Sequence, residues 1–327
     1  MAAQLVSVVI PTYNRPHLLI NAIESVLVQS YRPIEILVIN NGDASIDSVI
    51  QKYKANGNVR FFESVKKGNV GAARNKGIKE SQGMYIGYLD DDDVFLHNHI
   101  EALVKLLTSS GKKVAYSGSL IKVHKKIGDE VLYSHDRSPY NHAFDLKKLF
   151  FENYIPTNVV LHHRDCVEKS GYFDEDLRTH EDWDFWLKLA IHFEFVHSNK
   201  VTSQINVIEK SDSVTNTRLV DFDYTRMVIY DRYSNHSSSY SVSIQKQAEI
   251  VEKLFFEYDF LVELYEKKLL AEWKRLDLKS KIRRLMELFK SYKDNPDPTV
   301  HHLITSCRDK NKKLYKIQKK TFGVLGK

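Results

Sequence analysis

Cysteine is nearly absent: Cys166 and Cys307 are the two in 327 residues, far apart and outside any Cys-x-x-Cys pair. That spacing argues against a disulfide framework or a structural zinc site and fits a reducing compartment. Long apolar runs are absent too, and with no stretch of roughly 18 apolar residues no transmembrane helix is expected. The opening MAAQLVSVVIPTYNR has no basic segment, and its apolar run is too short for a signal peptide. Glycine is missing where phosphate loops need it. The first strand-like run leads into PTYNRP, GNVGAARNKG spaces its glycines wrongly for Gly-x-Gly-x-x-Gly, and KKGNVG lacks the Gly-Lys-Ser/Thr end of a P-loop. There is no Gly-x-Ser-x-Gly elbow either. Dinucleotide-dependent, P-loop and serine-hydrolase chemistries therefore have no foothold.

What is present is ordinary for a soluble globular chain, 43% hydrophobic and 28% charged, enough for one large or two modest domains. The net charge of +6 is uneven, with a lysine-rich tail from about Lys267. Such a tail points to an acidic partner, whether an anionic membrane surface, a phosphorylated substrate or nucleic acid, or else to a solvated helical surface.

Strand and helix patterns alternate from the start. LVSVVI (5–10), IEILVIN (34–40), VRFFES, MYIGYLD (84–90) and KVAYSGSLIKV read as strands. HLLINAIESVLVQS, SIDSVIQKYKAN, NVGAARNKGIKES and HNHIEALVKLLTSS read as the helices between them. This order predicts an α/β domain with a mostly parallel sheet covered on both faces. Beyond about 140 the alternation weakens; DLKKLFFEN and DWDFWLKLAIH read as helices among irregular or short-strand pieces. From about Val220 the pattern is helical, with DRYSNHSSSYSVS as a linker or loop and a break at KDNPDP before a basic terminal helix. The expected division is an α/β domain over 1–218 and a mostly α-helical C-terminal region over 219–327.

Ligands of open α/β sheets bind outside the carboxyl ends of the strands. Three such ends are polar here: PTYNR after the first strand, NNGD after the second, and Asp90 to Asp93 after the strand at 84–89. Aspartate is a common turn and cap residue, which accounts for one or two of the four. Four adjacent carboxylates raise one another's pKa unless a cation compensates. Mg2+ commonly takes one or two carboxylates plus phosphate oxygens, so a metal–diphosphate site is expected. The adjacent pairs His162-His163 and His301-His302 diverge on a strand or helix and are expected to be structural or surface residues; His180 lies beside the acidic Glu181.

These stretches, in order, resemble a known pattern. SVVIPTYNRPHLLINAIESVLVQSYRPIEILVINNGD, then GNVGAARNKGIKESQGMYIGYLDDDD, then HEDWDFWLKL are similar to the motifs of family 2 glycosyltransferases, over roughly residues 5 to 215. The resemblance implies a GT-A (Rossmann-like) fold and an inverting, metal-dependent transfer from a nucleotide-diphosphate sugar, UDP-linked first, in bacterial surface polysaccharide or glycoconjugate synthesis. It implies that Pro11, Thr12, Tyr13 and Arg15 cradle the nucleotide, that Asn41 of the Asn40-Asn41 pair reads the base edge, and that Arg74 faces the nucleotide or its phosphates. Asn40-Asn41 stands where Asp-Asp is commoner, which loosens the expected base.

Asp90-Asp91-Asp92 matches the Asp-x-Asp motif. Asp92 is then the ligand of Mn2+ or Mg2+, Asp90 contacts ribose or sugar or reaches the metal through water, and Asp91, the extra member, either joins Asp90 in binding the nucleotide-sugar or faces solvent. HEDWDFWLKL implies Asp182 as catalytic base with Glu181 orienting the site, the two roles being exchangeable. A histidine that many relatives carry after the base motif is missing from INVIEKSDSVTNT, where Glu209, Lys210 and Ser211 stand; no Gln-x-x-Arg-Trp motif marks a processive enzyme. The expected partners are the donor and a glycan or lipid-linked acceptor, with no nucleic acid. A homo-oligomer through the C-terminal helices and peripheral contact with the inner face of the cell membrane are further expectations for an otherwise cytoplasmic protein. Two other readings stand beside this: a non-catalytic sugar-nucleotide-binding or assembly protein, and a sugar nucleotidyltransferase, whose Gly-x-Gly-Thr-Arg-like loop is lacking.

Overall fold

The computed structural model describes residues 3–127, 130–208, 219–257, 273 and 276–294. The chain divides into two compact units, Met1–Thr217 and Arg218–Lys327.

The first unit is built on a nine-stranded sheet. Strands β1 (Val6–Thr12), β2 (Ile34–Asn40), β3 (Val59–Glu63) and β4 (Tyr85–Tyr88) are parallel, in the order β3-β2-β1-β4. Every residue of β1, β2 and β4 is buried, which is why these strands read as unbroken apolar runs. Helix α1 (Pro16–Leu27) starts on a proline suited to the first helical turn and buries Leu19, Ala22, Ile23 and Val26. Helix α2 (Asp47–Tyr53) follows β2. Helix α3 (Val70–Glu80) is capped by Asn69, whose Oδ1 accepts from Ala72 N at 2.8 Å. Its small residues let it lie close to the sheet: a Cβ on Gly77 would sit 2.3 Å from Val9 Cγ1.

Beyond β4 the sheet changes character. A two-residue strand, β5 (Val94–Phe95), precedes helix α4 (His99–Ser110), and β6 (Val114–Ile127) pairs with β7 (Glu130–Tyr140), β8 (Val160–His163) and β9 (Phe195–Ile208). β6 and β9 run in the direction of β1, whereas β5, β7 and β8 run against it. The four-residue β8 is a short strand of the kind expected past residue 140, whereas the long β9 corrects the expectation of only irregular or short-strand pieces there. β9 is mostly half-buried and polar, so it lacks the apolar signature of a central strand. Helix α5 is a single turn, Leu146–Leu149, shorter than the helix expected there; α6 (Cys166–Ser170) and α7 (Glu181–His192) complete the unit.

The second unit, where described, is helical: Leu219–Arg232, Ser234–Ser237, Ser241–Glu257 and Leu278–Asp294. DRYSNHSSSYSVS is therefore mostly helix, not linker. Ser234 and Ser241 begin its helices, whereas the Ser237 and Ser238 hydroxyls donate to the carbonyls of Ser234 and Asn235. Met227, Tyr230, Val251, Leu254, Ile282, Leu285 and Phe289 form its core, and Phe255 stacks on Trp273 with centroids 3.8 Å apart. The basic terminal segment, with His301-His302 and Cys307, lies outside the described residues, as do Glu209, Lys210 and Ser211. Among the described residues no helix is long and apolar enough to cross a membrane.

Candidate active site

The order β2-β1-β4 sets three polar strand ends side by side. Pro11 and Thr12 finish β1, fully buried, and Tyr13 follows with its ring exposed. Asn41, after β2, is buried; its N–H donates to Thr12 O at 2.8 Å and its Oδ1 is buried without a partner. Asn40 turns the other way, donating to Glu63 Oε1 at 3.0 Å. Asn14 holds a left-handed backbone (φ 56°) and accepts from Ala44 N at 2.8 Å, so the loops after β1 and β2 are stitched together. A side chain at Gly42 would sit 2.3 Å from Asn14 Oδ1, which reserves that position for glycine.

The four aspartates alternate between protein and solvent. Asp91 is 1% exposed and accepts from Thr12 Oγ1 at 2.7 Å, from Tyr13 N at 3.3 Å and from Arg15. This corrects the second of the two expectations for Asp91, that it faces solvent: it anchors the turn to the loop after β1. Burial pushes its carboxyl up to about 6, with Arg15 and Thr12 pulling the other way. Asp93 is also buried, accepting from Asn158 Nδ2 at 3.1 Å and Asn206 N at 2.9 Å. Burial, then Asp92 and Asp90, hold it well above the usual carboxylate range. Asp90 and Asp92 are the outward pair, with side chains 37% and 34% exposed. Arg15 Nη1 donates to Asp92 Oδ2 at 2.6 Å, opposing the upward push of burial on that carboxyl.

Arg74 joins this turn to helix α7. It is 3% exposed, donating from Nη1 to Glu181 Oε1 at 2.6 Å and from Nη2 to Asp90 Oδ1 at 2.8 Å. Its guanidinium lies over Phe173, 5.5 Å from the ring centroid. Burial disfavours its charge, but Asp90, Glu181 and Asp182 outweigh that and raise its pKa further. Residues 90 and 181, far apart in the chain, thus share one cation.

Glu181 and Asp182 open α7, where the helix dipole favours acids, after His180 in a left-handed conformation (φ 58°). Asp182 accepts from Asn153 Nδ2 at 3.1 and 3.2 Å, from Thr157 Oγ1 at 3.1 Å and from Trp183 N at 2.7 Å. Burial raises the pKa of both carboxyls; Arg74 opposes it at each. Of the histidine pair on β8, His162 is buried against the Tyr88 hydroxyl at 2.7 Å, with burial lowering its pKa to about 4, and His163 pairs with Asp165.

Sequence reasoning missed Asn153, Thr157, Asn158 and Asn206. Asn206 on β9 also donates from Nδ2 to Asp92 O at 2.7 Å and accepts from His124 Nε2 at 3.1 Å. The only signal would have been an accounting one: buried carboxylates need donors.

Among the described residues no group of three or more His, Cys, Asp or Glu could hold an ion. A cation bound by one or two carboxylates plus substrate oxygens needs no such group. Asp90 and Asp92, outward-facing and each engaged through one oxygen by arginine, fit that donor set.

The chain is similar to known glycosyltransferases in sequence and in fold. The family model for glycosyl transferase family 2 matches residues 7–164. The chain is 31% identical over 185 residues to the uncharacterized glycosyltransferase YwdF of Bacillus subtilis, spanning 57% of this chain and 68% of that one. It is 28% identical over 202 residues to the putative colanic acid biosynthesis glycosyl transferase WcaA of Escherichia coli, spanning 58% and 67%. Among solved structures, S. aureus TarS 1–349 in complex with UDP-GlcNAc matches with TM-score 0.53 at 18% identity, covering 88% of this chain and 91% of that one. The mannosyltransferase PcManGT from Pyrobaculum calidifontis, in complex with GDP-Man and Mn2+, matches with TM-score 0.54 at 14% identity, covering 95% and 88%. The fold is the GT-A glycosyltransferase fold. The chain belongs to glycosyl transferase family 2.

Proposed function

We propose that this glycosyltransferase moves a sugar, with inversion, from a nucleotide-diphosphate donor, a UDP-sugar first, to an acceptor hydroxyl in bacterial surface polysaccharide or glycoconjugate synthesis. The observation that carries the reading is Arg74, which draws the acidic turn and the start of α7 into one site. The UDP-GlcNAc and GDP-Man complexes of similar folds support the donor class, and the colanic acid relative supports the pathway class.

In this reading the loops after β1 and β2 take the nucleotide. Pro11, Thr12 and Tyr13 flank base and ribose, and the unpaired Oδ1 of Asn41 accepts from a base N–H. Asp92, with Asp90 beside it, holds Mn2+ or Mg2+, which when bound neutralises charge on the leaving diphosphate. Arg15 turns from the carboxylates toward the nucleotide. Asp182 takes the proton of the attacking hydroxyl, and Glu181, fixed by Arg74, orients the site. Residues 219–327 serve oligomerisation, the acceptor or a membrane surface. The test is Mn2+-dependent turnover of a UDP-sugar panel, with product anomers read by NMR. Asp182→Asn and Asp92→Ala are each expected to lower kcat by about 100-fold or more. Full turnover in both variants would overturn the assignment.

A further inference from the structure

The candidate base is held by a segment that no motif marks. Asn153 to Asn158 lies between α5 and β8, and its side chains reach both acidic clusters. The Asn153 Nδ2 faces both oxygens of Asp182 and is shared between them, Thr157 donates to Oδ2, and the next residue, Asn158, donates to Asp93 in the acidic turn. Helix α7 grips this stretch and the end of α5 in return: Trp186 Nε1 donates to Ile155 O at 3.1 Å and Trp183 Nε1 to Leu149 O at 2.7 Å. Pro156 fixes the backbone just before the 3-10 turn Thr157–Val159. Segment and helix are therefore fastened in both directions, which leaves the Asp182 carboxyl little freedom to rotate. One feature is poorly explained by stability alone: Asn153 Oδ1 is buried with no partner, so the amide is kept although only its donor side is satisfied.

We propose that Asn153 and Thr157 are positioning residues for proton removal, fixing the orientation of Asp182 and tuning its basicity; this rests on the reading of Asp182 as base. With the Trp183 N–H included, donors meet both oxygens of the carboxylate, which offers about four lone-pair sites. The Thr157 hydroxyl redirects its O–H by turning about Cβ–Oγ1 with no heavy atom moving, so it is the donor that yields to the acceptor hydroxyl. Donors to the charged form favour it. The other groups facing Asp182 are Arg74, which lowers its pKa, and the adjoining Glu181; losing either amide or hydroxyl leaves burial less opposed.

The test compares Thr157→Val, Thr157→Ser and Asn153→Leu with wild type, in kcat/KM against pH for a turned-over donor and in calorimetric UDP affinity. Thr157→Val and Asn153→Leu are expected to lose about tenfold in kcat and to move the acid limb to higher pH by about half a unit, with UDP affinity within about twofold. Thr157→Ser restores both rate and limb. If Thr157→Val, with a wild-type melting temperature and UDP affinity, keeps the limb in place, the positioning role is overturned while the base assignment stands. If Asp182→Asn retains turnover, base assignment and positioning role fall together.

Discussion

At the scale of single residues, four adjacent carboxylates are tolerated because each has its own compensation. Asp91 and Asp93 turn inward to donors from other elements; Asp90 and Asp92 turn outward, each against an arginine. Arg15 therefore stands where a metal would draw charge. Its removal in Arg15→Gln should tighten Mn2+ binding to the nucleotide-free protein by about tenfold, read by electron paramagnetic resonance of free Mn2+; unchanged or weaker binding would show that Arg15 and the metal do not compete. Asp91 gives a second test. Its carboxyl is raised from 3.8 to about 6 in the folded state, so between those values the folded protein holds the proton and the unfolded chain has lost it. This contribution favours folding as pH falls through 6 and is a penalty on the order of 3 kcal/mol above it. Asp91→Asn should flatten the dependence of melting temperature on pH between about 4 and 6. The acidic members of the site were legible because runs of carboxylates are rare. Their partners were not, since Asn153, Thr157, Asn158 and Asn206 are commonplace types whose meaning comes from contacts across the chain.

At the scale of elements, legibility followed burial. β1 and β2 lie inside the sheet with both faces covered, so IEILVIN could be read to the residue. β7 and β9 are exposed or half-buried, and a strand such as HSNKVTSQINVI carries neither an apolar run nor clean alternation. Helix α3 shows what a small-residue pattern buys: Gly77 lets it approach β1, and Gly77→Ala would force a methyl into Val9. The expected loss is about 1–3 kcal/mol by urea unfolding, with Val9→Ala recovering part of it in the double variant. Additive losses would mean that the helix shifts instead of clashing.

At the scale of the whole molecule, every residue assigned to the site, and the apolar core from Val6 to Leu161, belongs to the first unit. A chain ending at residue 217 is therefore expected to bind UDP with Mn2+ as the full chain does, within about threefold by thermal shift. Loss of binding would show that the helical unit completes the nucleotide site. The units differ in how far sequence could reach: the first repeats strand and helix in a fixed alternation, whereas the second offers amphipathic helices whose packing order no spacing dictates.

The bonds from Thr12, Tyr13 and Arg15 to Asp91 and Asp92 have a consequence for anyone rebuilding this enzyme. Residues 11–15 and 90–93 behave as one cassette. A chimera that imports a relative's first loop alone would strand a buried carboxylate, whereas moving both stretches together carries the lock with its key.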